Sequence, residues 1–125
     1  MKIALTVWGH RISPVFDSAQ TLLIAQIKNS KVIKKSYESI SSDRSSFSDK
    51  LKKMDVSVLI CGAISKIAAD TIGSSKIKLI PFITGNSTQI LDLYLSNKPV
   101  PLSYFMPGYR PQGCANGLKN TVLNV

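Results

Sequence analysis

A short apolar segment in the middle of the chain constrains the possible folds most strongly. Residues 56–61 are almost free of polar side chains, and the segment stops abruptly at Gly62 and Ala63. A run of this length is typical of a strand that is covered on both faces. Ser65 then supplies the kind of side-chain oxygen that caps a helix. The sequence therefore predicts a central parallel strand followed directly by a helix.

Other periodicities predict the remaining elements of an α/β domain. Further strands are predicted at 2–7, 21–28, 31–37 and 77–82, and helices at 47–54, 66–72 and 87–95. The turn pair Asn29-Ser30 predicts a hairpin, whereas a strand, a helix and a strand in succession form a right-handed parallel crossover. We therefore predict a mixed five-stranded sheet with the order 3-2-1-4-5, flanked by helices, which is the ribonuclease H-like arrangement. Residues 1–125 are predicted to form one domain with an irregular tail from about residue 102.

The composition limits the partners and the compartment. The net charge is +9, with 16 basic and 7 acidic residues, so an anionic partner is plausible. The lysines are scattered and are not interleaved with aromatic residues, so a nucleic-acid surface is not favoured. Two cysteines far apart favour the cytoplasm over an oxidising compartment. No apolar run approaches the ~20 residues of a membrane-spanning helix, so no membrane association is expected.

The predicted topology brings three connections to one end of the sheet. They are residues 9–17, 61–65 and 84–87, and the last two open helices whose N-terminal amides can receive negative charge. Ligands of open α/β sheets bind in the crevice at this end. We therefore expect an anionic group to bind near the following small and polar residues: Gly62, Ala63, Ser65, Gly85 and Asn86.

Five short stretches carry a resemblance to a known family. They are Met1-Lys2-Ile3-Ala4, Arg11-Ile12-Ser13-Pro14-Val15-Phe16-Asp17, Leu59-Ile60-Cys61-Gly62-Ala63-Ile64-Ser65, Ile80-Pro81-Phe82 and Phe105-Met106-Pro107-Gly108. In this order the sequence resembles the dinitrogenase iron-molybdenum cofactor biosynthesis family, the small domain of NifX-like and NifY-like proteins and of the C-terminal part of NifB. The resemblance implies a ribonuclease H-like fold and a role in carrying an iron-sulfur or molybdenum-containing cluster during cofactor assembly. Members often carry cysteines directly after Met-Pro-Gly, whereas here residues 109–113 precede Cys114.

A cluster carrier needs soft or borderline ligands, and the sequence offers three candidates. Thiolate and imidazole suit iron and molybdenum-sulfur species, so Cys61, His10 and Cys114 are the predicted metal ligands. Each has an alternative interpretation: Cys61 as a small buried apolar residue, His10 as a loop residue without a task, Cys114 as an accessible thiol. A helix N-terminus beside Cys61 is expected to lower its pKa. Met106 is expected to pack and to anchor the tail.

Two further residues of the first long connection could contact the cargo. Arg11 offers a fixed fork of donors for an anionic group, and Ser13 offers a hydroxyl. Arg11 could equally pair with Asp17 and hold the connection closed, and the two uses can coexist.

The sequence favours a binding protein over an enzyme. The acidic residues are dispersed and Glu38 is the sole glutamate, so the carboxylate cluster of a two-metal nuclease is not expected. A cysteine hydrolase is not favoured, because His10 is the only histidine that could act as a base for Cys61, and there is no Gly-x-Ser-x-Gly motif of a serine hydrolase.

We predict a non-enzymatic cluster carrier, monomeric or weakly dimeric, whose partners are cofactor-assembly proteins or an apo-metalloenzyme. The alternative is a metal-independent module for an anionic metabolite or a protein. Changing Cys61 to Ser should release the cargo of a carrier, whereas the module should respond to Arg11→Ala.

Overall fold

A computed structural model describes residues 1–40, 47–96 and 104–106. The elements of these residues are β1 (Lys2–Trp8), β2 (Arg11–Ile12), β3 (Thr21–Lys28), β4 (Lys31–Ser39), α1 (Phe47–Lys53), β5 (Val56–Ile60), α2 (Lys66–Ser74), β6 (Lys78–Ile80) and α3 (Ser87–Ser96). A 3₁₀ turn lies at Phe16–Ser18. None of the helices in these residues is long and apolar enough to cross a membrane.

The strands form one mixed sheet. Its order is β4-β3-β1-β5-β6, and β2 pairs with the end of β1 outside this path. The neighbours β4, β3 and β1 are antiparallel, whereas β1, β5 and β6 are parallel. The predicted α/β class with a mixed, helix-flanked sheet is confirmed. The predicted count of five strands is wrong, because Arg11 and Ile12 fold back on β1 and add a sixth strand.

Apolar side chains are buried on both faces of the sheet. One cluster contains Val58 and Ile60 of β5 together with Ile90 and Leu91 of α3. The opposite cluster contains Leu59 of β5 together with side chains of α1 and α2. Successive residues of a strand point to opposite faces, so β5 contributes to both cores. The prediction that this strand is covered on both sides is thereby confirmed.

Several predicted boundaries differ from the structure by one or two residues. Helix α2 continues to Ser74, two residues past the predicted end at residue 72, so Gly73 lies inside its last turn. Strand β6 ends at Ile80, and the predicted extension to residue 82 is wrong. Phe82 has a φ angle of 63°, which an extended strand does not allow.

The segment 104–106 returns to the carboxyl end of the sheet. The amide of Thr84 donates to the Tyr104 carbonyl at 2.7 Å, and the Met106 amide donates to the Phe82 carbonyl at 2.8 Å. The side chain of Phe105 is 8% exposed and belongs to the same core as α3. The side chain that enters the core is therefore Phe105, next to the predicted anchor Met106.

Candidate functional site

The first long connection begins as a tight hairpin between β1 and β2. Trp8 pairs with Arg11, and the two residues between them form the turn. Gly9 occupies the left-handed region at φ 64°, where a glycine carries no steric cost. The side chains at the tip face solvent: Trp8 is 76% exposed, and His10 and Arg11 are also exposed.

The backbone of this hairpin is fixed to the start of α3. The His10 carbonyl accepts hydrogen bonds from the Ser87 amide at 2.9 Å and from the Ser87 hydroxyl at 3.1 Å. The Ile12 amide donates to the Gly85 carbonyl at 2.9 Å, and the backbones of Arg11 and Asn86 form an isolated antiparallel β-bridge. The chain therefore presents the side chains of His10 and Arg11 to solvent from a backbone that is held in place.

Residues 12–17, which we call the strap, then cross the ends of β1 and β5. The Ala63 amide donates to the Pro14 carbonyl at 2.9 Å, and the Phe16 amide donates to the Ala63 carbonyl at 2.7 Å. The ring of Phe16 is buried against the core that contains α1 and α2. The chain itself thus bridges the crevice in which a ligand was expected.

Ser13 and Gly62 meet where the strap passes over β5. The Ser13 amide donates to the Thr6 carbonyl at 2.9 Å, and its buried hydroxyl donates to the Val15 carbonyl at 3.3 Å. A Cβ atom on Gly62 would lie against the carbonyl oxygens of Ser13 and Pro14. In this structure Gly62 makes room for the strap, and Ser13 serves to hold the strap.

The start of α2 carries a carboxylate of the chain itself. Ser65 caps the helix as predicted, because its hydroxyl oxygen accepts from the Ala68 amide at 3.2 Å. The Ser65 amide and hydroxyl donate to the two carboxylate oxygens of Asp17, at 3.2 and 3.3 Å. An acidic side chain is stabilised at a helix N-terminus. In the described part of the chain Asp17 therefore contacts Ser65, and the expected pair with Arg11 is not formed.

The start of α3 is also satisfied by the chain itself. The side-chain oxygen of Asn86 accepts from the amides of Thr88 and Gln89, at 2.9 and 3.1 Å. Gly85 has a φ of 120° and lies against the ring of Tyr104. Four of the amides near which an anion was expected, those of Ala63, Ser65, Ser87 and Thr88, thus donate to acceptors within the protein. A ligand would therefore compete with strap and cap residues for these amides, and the anion site stays a prediction.

Cys61 is placed where the sequence predicts, at the carboxyl end of β5, but it is inaccessible. Its side chain is 0% exposed. Its backbone amide donates a hydrogen bond to the Ile80 carbonyl, and its carbonyl accepts one from the Ile83 amide. Burial, followed by the negative charge of Asp17, raises the pKa of Cys61 to about 12. The predicted lowering of this pKa is wrong, because removal from water outweighs the nearby helix N-terminus. The thiol is protonated at neutral pH, and the thiolate is the form that binds metal.

The three predicted metal ligands are not brought together among the described residues. His10 lies at the exposed hairpin tip and Cys61 lies in the core, whereas Cys114 falls outside the residues that the structure describes. Within the described ranges no three His, Cys, Asp or Glu side chains form a group that could hold a metal ion. The described residues therefore offer His10 as the exposed candidate ligand.

Sequence reasoning missed Trp8 as a site residue. A cavity of about 460 Å³ opens beside it, lined by residues 7–9, 13–15 and 18–21. The available signal was an indole at the end of an alternating strand, directly before Gly9. A large aromatic side chain left in solvent beside a cavity is typical of a contact surface.

The fold and this site define a small α/β domain with one mixed sheet and an exposed, backbone-fixed hairpin at its carboxyl edge. The family model described as "Dinitrogenase iron-molybdenum cofactor" matches residues 1–97. The chain belongs to this family, as its sequence resemblance implies. No protein of curated function matches the sequence.

Several solved structures share the fold. The crystal structure of the protein PH0822 aligns with a TM-score of 0.72 at 13% identity, covering 78% of this chain and 91% of the other. The crystal structure of MJ0327 from Methanocaldococcus jannaschii, whose name assigns it provisionally to the dinitrogenases, aligns with a TM-score of 0.60 at 27% identity and covers 77% and 88%. An NMR structure of MJ0327 gives 0.61 at 23% identity, covering 89% and 95%.

Proposed function

We propose that this protein is a non-enzymatic carrier of an iron-sulfur or molybdenum-containing cluster during cofactor assembly. Membership in the iron-molybdenum cofactor family supports this role. We also assign the sheet to the ribonuclease H-like arrangement, because β3 and β4 extend the antiparallel side of β1 while β5 and β6 extend its parallel side. The observation that carries the proposal is the fixed hairpin with its exposed His10 and Arg11.

His10 is the proposed attachment point. A neutral imidazole binds iron and other transition metals, and the hydrogen bonds from Ser87 to the His10 carbonyl fix the backbone that carries it. A single protein ligand suits a carrier, because the cargo must leave again. Arg11 lies next to it and offers several donors to the anionic sulfur or oxygen atoms of a cluster. The net charge of +9 likewise favours an anionic cargo.

The two cysteines have different places in this proposal. Cys61 packs the core, and it would reach the cargo only if the strap opened. Cys114 is a second candidate ligand that the chain could supply. The donor and the acceptor of the cluster would be cofactor-assembly proteins or an apo-metalloenzyme in the cytoplasm.

Loading with a cluster under anaerobic conditions tests the proposal. The protein is incubated with a cluster donor and separated from it, and bound iron and molybdenum are measured together with the absorption spectrum. We expect His10→Ala to weaken binding at least about tenfold, as ligand-sphere changes commonly do. Arg11→Ala should weaken it less, and Cys61→Ser should load like the wild type. Lys28→Ala is the matched control for Arg11, since it removes one charge at the end of β3.

The results separate the possible sites. Loading that survives His10→Ala but is lost in Cys61→Ser would contradict the hairpin site. Loading lost only in Cys114→Ser would move the ligand to that thiol. Protein that stays colourless and metal-free beside a competent donor would contradict the carrier function altogether.

The alternative function is a metal-independent module for an anionic metabolite or a protein partner. The buried, protonated Cys61 and the lack of a three-ligand group in the described residues favour it. Such a module would bind through Arg11 and the cavity beside Trp8. Binding should then respond to Arg11→Ala and should be indifferent to His10→Ala and to chelators.

A further inference from the structure

Strand β4 forms an outer edge of the sheet. It is the longest strand of the described residues, with nine residues at Lys31–Ser39, and it stands at one end of the strand order. No strand of the described residues pairs with its outer side. Seven of its nine residues are exposed and the other two are half-buried. An unpaired edge presents a row of amide and carbonyl groups on which another strand can add.

The middle of β4 is regular enough to serve as a template. A bulge interrupts its pairing with β3 between Gln26 and Ile27, so that Ile33 is the extra residue. From Lys34 onward the pairing is continuous to Ser39. Two large apolar side chains remain in solvent along this edge: Ile33 is 55% exposed and Tyr37 is 60% exposed. Such exposure is a cost that a partner strand would relieve.

When two copies of β4 lie antiparallel, charged residues of one copy can face opposite charges of the other. Lys34 and Glu38 lie two residues before and two residues after Ser36, all on the same face of the strand. We propose that β4 pairs with β4 of a second copy of this chain, antiparallel and in a register centred on Ser36. Lys34 then lies opposite Glu38 of the partner subunit, and the reciprocal pair forms by symmetry. Opposite charges at directly facing positions stabilise an antiparallel pair.

The same register also suits the other face. Lys35 lies opposite Tyr37 of the partner subunit, where the ammonium group can contact the aromatic ring. The two copies are related by a two-fold axis perpendicular to the sheet, and directly facing residues lie on the same face of the sheet. The axis therefore passes at a residue of β4, and the alternative registers are centred on neighbouring residues. Centring on Lys35 would place two lysines opposite each other, which is destabilising. Within β4, the register centred on Ser36 is the one that sets Glu38 against a lysine.

This interaction must overcome a general repulsion, because each copy carries a net charge of +9. The attraction is therefore local, and the dimer should be weak and concentration-dependent. It does not depend on the cargo or on the hairpin, and no metal donor is needed to observe it. A failure of cluster loading and a failure of dimerisation can therefore be distinguished.

Sedimentation equilibrium at physiological ionic strength tests the charge pairs. We expect the wild type to change from monomer to dimer with rising concentration. Lys34→Glu and Glu38→Lys should each weaken the dimer at least about tenfold, since each turns two attractive pairs into repulsive ones. The double variant with both changes should restore it. Lys28→Glu is the control for Lys34→Glu, because it changes the net charge by the same amount outside β4. Circular dichroism shows that each variant folds.

A cysteine at the symmetry centre tests the register. Ser36→Cys in a Cys114→Ser background places two thiols at facing positions, within the distance a disulfide spans. Oxidation should yield a covalent dimer, whereas Ser57→Cys on β5 should stay monomeric. A monomer at every concentration, a dimer that ignores both charge reversals, or a double variant that fails to recover would each overturn the proposal.

Discussion

The buried thiol of Cys61 gives the protein a stability that falls as pH rises. Its pKa is raised from 9.0 to about 12, so the folded state keeps a proton that the unfolded chain loses. The contribution is fully present below pH 9.0 and is lost progressively up to about 12. In this window the unfolded state binds fewer protons, so each pH unit lowers the free energy of unfolding by up to about 1.4 kcal/mol.

Urea denaturation of the wild type and Cys61→Ala checks this pH dependence. At neutral pH the variant should be the less stable, because it leaves a small cavity. Near pH ~10.5 the advantage of the wild type should shrink by about 2 kcal/mol, since only the wild type carries the thiol. All other ionisable groups are the same in both proteins and cancel in the difference. A constant difference across the pH range would contradict the raised pKa.

Two glycines should respond oppositely to the same substitution. A methyl group on Gly62 meets the carbonyl oxygens of the strap, whereas one on Gly73 of α2 meets nothing within 4 Å. Gly62→Ala should therefore cost about 1–3 kcal/mol of stability through overpacking. Gly73→Ala should add up to about 1 kcal/mol, because alanine favours a helix. Denaturant midpoints measure both, and equal effects would mean that the strap does not press on Gly62.

At the scale of elements, the contact of Asp17 with α2 joins the strap to the sheet edge. Asp17→Ala removes the carboxylate from the Ser65 amide and hydroxyl. We expect the free energy needed to open the strap locally to fall by about 1 kcal/mol, which is the usual stabilisation from an acidic side chain at a helix N-terminus. Hydrogen exchange at the amides of Phe16 and Ala63 should then accelerate about fivefold.

Asp70→Ala provides the control for this change. It removes the same charge from an exposed position further along α2. Exchange at the two strap amides should remain as in the wild type. If both variants accelerated exchange equally, the effect would come from net charge and not from the contact with Ser65.

The sequence predicts those features that depend on near neighbours. The cap at Ser65 involves Ala68, three residues away, and it was predicted correctly. The bond between Asp17 and Ser65 spans 48 residues, and no local pattern indicates it. Strap residues likewise accept from the amides of Ala63 and Ser65, and Phe16 of the strap packs in the same core as Cys61. The crevice could therefore be located from the sequence, whereas its closure depends on distant contacts.

For the molecule as a whole, the folded unit extends past the segment that the family model matches. The match ends at residue 97, yet Phe105 lies in the core with α3. Its neighbours Tyr104 and Met106 hydrogen-bond to residues 84 and 82 beside the crevice. Phe105 therefore joins the last described segment to the core beneath the hairpin, and a chain ending at 97 would lack it.

Phe105→Ala measures the contribution of this segment to the stability of the whole domain. A phenylalanine that is 8% exposed fills space among apolar side chains, so its truncation should cost about 3 kcal/mol. Ile67→Ala is the matched control: Ile67 is 82% exposed, and its truncation should change stability by less than about 0.5 kcal/mol. Thermal and urea unfolding of both variants give the two values. Because the domain has one sheet with shared cores, Phe105→Ala should lower a single cooperative transition. Comparable small losses in both variants would place Phe105 outside the cooperative core.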